Sequence, residues 1–163
     1  MTPQRLAQIH AAAFDDDRPW TAAEFEALMA LPFVAVFTQP DGFALTRLIV
    51  DEAELLTIAV APAVQGQGTG RRLLTAWLDQ LVAAQARTAF LEVAADNLGA
   101  LHLYTSFGFQ VSARRRGYYQ RKDAAAVDAL VLSREVTHSH FPGSCTGMAS
   151  RPGTGTMPIP QHQ

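Results

Sequence analysis

Leu55–Gly70 reads LLTIAVAPAVQGQGTG, and the apolar-faced run Arg71–Ala86 follows it directly. An apolar, β-prone stretch breaks at Ala61-Pro62 and re-emerges as a glycine-rich turn opening a helix, which leaves a row of backbone N–H groups without an internal partner. Such a row attracts phosphate. Gly66, Gly68 and Gly70 carry no Cβ, so a bulky anion can press against the main chain, and the helix dipole adds roughly half a positive charge there. The plainer alternative is a flexible loop ahead of an ordinary helix start. Two known phosphate fingerprints fail. The nucleotide P-loop ends in Gly-Lys-Ser/Thr, whereas Gly70 is followed by Arg71-Arg72. The dinucleotide motif needs a glycine three residues after its second, where this chain has Arg71 or, starting one glycine later, Leu73.

What fits is Q-x-x-G-x-G, supplied by Gln65, Gly68 and Gly70 between a strand and a long helix. Here the chain resembles the GNAT superfamily of N-acetyltransferases, in which this turn wraps the pyrophosphate of acetyl-CoA. Phe90-Leu91-Glu92-Val93, Asn97, Leu103–Phe109 (LYTSFGF) and Arg115-Arg116-Gly117-Tyr118-Tyr119 extend the likeness to the RimI type, the ribosomal-protein-alanine acetyltransferases. The resemblance spans roughly Trp20 to Val136.

Several expectations come with it. The fold is α/β (α+β): a mixed, mostly antiparallel sheet with helices on both faces and two parallel strands splayed into an acetyl-CoA cleft. Gln65, Gly66, Gln67, Gly68, Thr69, Gly70 and Arg71 would hold the pyrophosphate, Ile58 and Val60 the pantetheine arm, and Asn97 would reach the same arm. The Val60 N–H would stabilise the oxyanion, an effect commonly worth about 3 kcal/mol per donor. Glu92 matches the family's general base and Tyr104 its general acid. Arg116, Tyr118 and Tyr119 match the strand that meets the acceptor, which the resemblance makes a protein N-terminus, a ribosomal protein among the options. Acetyl-CoA is the cosubstrate and no metal is expected.

The same residues have plainer readings. Glu92 lies between apolar Leu91 and Val93, so alternation puts it on the opposite face, where an exposed carboxylate or an arginine's partner is ordinary. Tyr104, beside Leu103 and Phe107, suits a core, Asn97 suits a helix cap, and the Arg114–Arg116 run suits a solvated strand face. Arginines interleaved with tyrosines can also touch RNA, but three of them on one strand are weak evidence, and no stable nucleic-acid binding is expected. On the acceptor the cofactor half is silent. A lysine or small-molecule amine, and a catalytically silent CoA-binding regulatory module, are the alternatives.

The totals set bounds. At 163 residues and 48% hydrophobic, the chain makes one domain with a proper core, and its net charge of −2 gives no global case for nucleic acid. A single cysteine, Cys145, excludes an internal disulfide and fits a reducing cytoplasm. Met1–Phe14 lacks the pattern of a signal peptide, no run is long enough to span a bilayer, and a monomer or weak dimer is expected.

In order, Thr2-Pro3 starts a helix with Leu6, Ile9, Ala13 and Phe14 on one face, ending near Asp15-Asp16-Asp17, a solvated turn rather than a cation site. Thr21 and Glu24 form a capping box for a second helix bearing Phe25, Leu28 and Met29, closed by Pro32. Phe33–Thr38 and Phe43–Val50 make a hairpin around Gln39–Gly42, and Glu52–Ala61 a third strand. The helix Thr69–Ala86 buries Leu73, Leu74, Trp77, Leu78 and Leu81. Ala89–Val93 is a buried strand, Asn97–Phe107 a helix capped by Gly108, and Gln110–Tyr118 with Ala125–Glu135 a closing hairpin across Gln120–Ala124.

Residues 1–136 are therefore expected to form the domain and 137–163 a disordered tail, punctuated by Pro and Gly. In that tail His138, His140 and Cys145 are not expected to make a metal site or a nucleophile. Family members usually open with a strand before the first helix. Here the chain begins at the helix, so either the true start lies upstream or the sheet lacks an edge strand.

Overall fold

The computed structural model describes residues 1–14, 18–121 and 124–137. The Asp15–Asp17 run, Lys122 and Asp123 of the second hairpin's connection, and the tail from His138 with its histidines and cysteine lie outside the described residues.

Thr2 caps α1 (Pro3–Ala13), its side chain accepting from the Arg5 N–H at 3.3 Å. Thr21 and Glu24 form the expected box on α2 (Ala22–Met29), each side chain accepting from the other's backbone N–H. The strands are β1 (Val34–Gln39), β2 (Gly42–Ile49) and β3 (Glu52–Val60), then β4 (Thr88–Ala94), β5 (Gln110–Arg121) and β6 (Ala124–Glu135). A 3₁₀ turn at Pro62–Val64 leads to α3 (Thr69–Ala83), and α4 (Leu98–Ser106) joins β4 to β5. The six strands lie in the order β1-β2-β3-β4-β6-β5. Every pairing is antiparallel except β3 with β4, so the sheet is mixed, as the resemblance implies.

Two cores sandwich the sheet. Alternation along β2 sends Phe43 and Leu45 to one face, where Leu6, Ile9 and Phe25 of α1 and α2 cover them. Ala44 points to the other, under Leu73, Leu74, Trp77 and Leu81 of α3. Each fully buried large side chain contributes about 2 kcal/mol of transfer free energy, so both helical layers are held mainly by burial.

The parallel pair is short. β3 and β4 stay in register only from Glu52↔Thr88 to Leu55↔Leu91, then part. The cause lies on the other side of β3. Leu45 pairs with Thr57 and Thr46 with Leu55, so Leu56 is an extra residue, a β-bulge at the very point where the strands separate. It also flips the side-chain parity. Ala53 and Leu55 belong to the α3 core, but beyond the bulge Ala59 joins the α1–α2 core while Ile58 and Val60 turn to the α3 side.

Two element ends lie three residues from the sequence expectation. α3 stops at Ala83 rather than Ala86, because Gln85 takes the left-handed conformation (φ 57°) and the Ala86 N–H returns to Leu81 O. β5 runs on to Arg121, through part of the expected connection. His10, an unremarked polar position on α1, is buried.

Candidate functional site

The gap opened by the bulge is lined as two adjoining cavities. The larger, about 590 Å³, lies at the N-terminus of α3. Gly68 caps that helix at φ 79°, a conformation glycine takes without strain, and the first amide to find a helical carbonyl is that of Arg72, bonded to Gly68 O at 3.0 Å. Among the described residues, the N–H groups of Gly66 through Arg71 therefore have no carbonyl partner, and they stand at the positive end of the helix dipole.

Side chains fix the turn. Gln65 donates from Nε2 to Val60 O (3.0 Å) and Arg72 donates to Gln67 O (3.1 Å) and Thr69 Oγ1 (2.9 Å). Arg71 donates to Ser106 Oγ (3.3 Å) and lies 5.1 Å from the centre of the Phe107 ring, which keeps a cation beside the amides. Gly70 lets α3 approach α4, since a Cβ there would sit 3.1 Å from Leu103 Cδ2.

On β3 the Ala61 N–H bonds to Asp41 O (2.8 Å), so by ladder alternation the main chain of Val60, and of Ile58 before it, faces away from β2 into the gap. Ile58, Val60, Gln65, Gly66, Gly68, Thr69, Gly70, Arg71 and Asn97 all line this cavity. Gln67 does not: its amide folds back to Ala63 O at 3.2 Å. Bare amides, a flanking arginine and an adjoining strand edge make a donor set that fits a diphosphate with an extended amide-bearing arm. Asn97 also caps α4, accepting from the Ala100 N–H at 3.1 Å, so its plainer role is present as well.

The second cavity, about 500 Å³, lies beyond the first and shares Ala13, Phe14, Ile58, Asn97, Ala100 and Tyr104 with it. Tyr104 is buried, its ring edge-on to Phe109. Burial first, and then the neighbouring Tyr119, push its phenol well above the ordinary tyrosine range. Glu92 is exposed on the face opposite buried Leu91 and Val93, lines this cavity, and accepts from Arg115 Nη1 at 3.1 Å.

Tyr119 lines the cavity; Arg116 and Tyr118 line neither one. Residues outside the sequence expectations complete the walls: His10, Arg18 and Trp20 from α1 and the segment after it, and Asp96 held by Arg121 at 3.1 and 2.9 Å. The arginine holds the Asp96 carboxyl below its usual range. Asp96 lies four residues after Glu92, a spacing that could have drawn attention to it, whereas Arg121 sits in what reads as a polar connection.

Among the described residues no group of three or more His, Cys, Asp or Glu is placed to hold a metal, and no helix is long and apolar enough to cross a membrane. A sequence profile of the Acetyltransferase (GNAT) family matches residues 4–109. The ribosomal protein bS18-alanine N-acetyltransferase of Escherichia coli is 35% identical over 123 residues, 73% of this chain and 82% of that one. The N-alpha-acetyltransferase RimI of Mycobacterium tuberculosis is 38% identical over 141 residues, 81% of this chain and 85% of its own. The crystal structure of the ribosomal-protein-S18-alanine N-acetyltransferase from Escherichia coli superposes with a TM-score of 0.77 at 32% identity, covering 88% of this chain and 93% of that one.

Proposed function

The chain belongs to the acetyltransferase (GNAT) family, and from that premise we propose that it moves an acetyl group from acetyl-CoA directly to the N-terminal α-amine of a protein, a ribosomal protein by its likeness to the RimI enzymes. One observation carries this: a row of unpartnered amides at a helix N-terminus and a carboxylate-bearing cavity meet at a shared wall that includes Tyr104. Acetyl-CoA supplies the activated acyl group. The backbone of Gln65 to Arg71 holds its pyrophosphate and the strand edge at Ile58 and Val60 aligns its arm, so the acyl end comes to the junction of the two cavities. Such positioning contributes to the rate, since well-oriented reactants gain several kcal/mol over free collision.

An α-amine has a pKa of roughly 8, so a modest base releases its neutral form at neutral pH. Glu92 takes that proton, directly or through a water, and passes it to solvent before taking the second one, which the nitrogen sheds as the C–N bond forms. As the C–N bond forms and the C–S bond breaks, the Val60 N–H donates to the carbonyl oxygen, and the Tyr104 phenol, kept protonated by burial, donates to the departing sulfur.

Thiol release from acetyl-CoA is the test, measured with peptides beginning in Ala, Ser and Met, beside a lysine peptide with a blocked N-terminus and a polyamine. Turnover with free N-termini alone is expected. Reaction with only the lysine peptide or the polyamine refutes the acceptor, and binding of acetyl-CoA without turnover of any amine would mark a regulatory module.

A further inference from the structure

β5 carries three consecutive arginines, and they do different things. Arg114 turns to Asp128 on neighbouring β6 (3.3 Å). Arg115 reaches past β6 to a strand it does not pair with and places Nη1 3.1 Å from Oε2 of Glu92 on β4. Arg116 lines neither cavity.

A local irregularity sets this reach. Arg115 pairs with Ala129, but the next pair is Tyr119↔Val127, so β5 spends two more residues than β6 over that step. Gly117 sits in the excess at φ 56°, its N–H donating to Asp128 Oδ1 at 2.8 Å. In a regular strand, residues three apart face opposite sides. Here the bulge brings Tyr118 round so that its ring centre lies 3.7 Å from the Arg115 guanidinium carbon. Tyr118 in turn meets Tyr119 edge-on at 5.2 Å, and Tyr119 lines the cavity that Glu92 and Tyr104 share. Bulges of this kind re-aim side chains beside functional sites.

We propose that Arg115, seated on the Tyr118 ring, is a positioning residue that fixes the Glu92 carboxylate at the acceptor mouth. This rests on Glu92 acting as the base. The arginine occupies Oε2 from the β5 side, so Oε1 is the oxygen left to serve the cavity. With the Arg115 side chain 49% exposed, the ion pair contributes little to stability, and what it supplies is orientation. Tyr118, absent from the cavity wall, acts on it through one intermediate contact.

The full chain is assayed with acetyl-CoA and an Ala-first peptide as wild type, Glu92→Gln, Arg115→Ala, Arg115→Lys, Tyr118→Ala and the Glu92→Gln/Arg115→Ala double variant. Wild-type turnover checks the acetyltransferase reading, and a fall in kcat with Glu92→Gln checks the base. In the otherwise wild-type enzyme Arg115→Ala should lower kcat about tenfold, with the KM for acetyl-CoA unchanged. Arg115→Lys should recover part of the loss, and Tyr118→Ala, which removes the ring under the guanidinium, should lower kcat in the same direction as Arg115→Ala. The double variant should be no slower than Glu92→Gln alone, because a residue acting only through Glu92 has nothing left to position. An unchanged kcat in Arg115→Ala, the full Arg115→Ala loss recurring on top of Glu92→Gln, or a rise confined to the peptide KM overturns the proposal.

Discussion

Tyr104 is where the two halves of the site converge, and its chemistry is decided by burial. A phenol already near pH 10 in water is pushed higher by desolvation and by Tyr119, so it stays protonated throughout the working range. In the proposed reaction it serves the leaving thiolate as a hydrogen-bond donor, and it should place no limb on the pH–rate profile at or below about pH 10. Tyr104→Phe should lower kcat by roughly tenfold to a hundredfold while acetyl-CoA binding, measured by calorimetry, stays within about twofold. Equal losses in kcat and binding would make Tyr104 a packing residue. The linkage sign follows. Because the folded phenol holds its proton more tightly than the unfolded one, its favourable contribution is complete below about pH 10 and is lost as pH rises past the unfolded value, so alkaline melting should set in later in Tyr104→Phe.

At the level of elements, Arg18 and Trp20 ahead of α2 form one wall of the cavity that Glu92 lines, and the α2 cap anchors them. Glu24 accepts from the Thr21 N–H at 2.7 Å and from Arg18 at 2.6 Å; the Arg18 hydrogen bond, with those from Thr21, holds its carboxyl down to about 2. Thr21→Ala should cost about 1 kcal/mol of stability and raise the peptide KM, leaving the KM for acetyl-CoA alone. A rise in both would mean the loop also shapes the cofactor side. That cap was legible because Thr21 and Glu24 carry their geometry in their spacing, and the Gln65–Gly70 turn was legible for the same reason. The bulge at Leu56 was not. No glycine or proline marks it, and only the pairing with β2 makes Leu56 the extra residue. The end of α3 escaped likewise, because glutamine stands at Gln85 where glycine or asparagine usually takes the left-handed turn. Alternation put Glu92 on its correct face, but no local pattern says that a residue of β5 will cross β6 to reach it.

For the whole molecule, the sheet is the device: helices bury both faces, and one extra residue in β3 pries the centre open without exposing either core. What closes this arrangement is the last described segment. Glu135 pairs with Thr88 at the foot of β4, the Val136 N–H donates to Arg87 O at 2.8 Å, and the Val136 side chain is buried in the α3 core. Every described residue lining either cavity comes before that point. We therefore expect a chain ending at Thr137 to retain the domain. It should melt within about 2 °C of the full chain, since a shift of 1 kcal/mol in a domain of this size moves the midpoint by a few degrees, and its kcat/KM for an Ala-first peptide should agree within twofold. A second truncation, ending at Ser133, removes the Glu135 pairing, the Val136 hydrogen bond and its buried side chain together, and should melt well below the first. If the chain ending at Thr137 lost turnover while keeping its melting point, residues beyond Thr137 would belong to the acceptor site and the domain boundary at Val136 would be wrong.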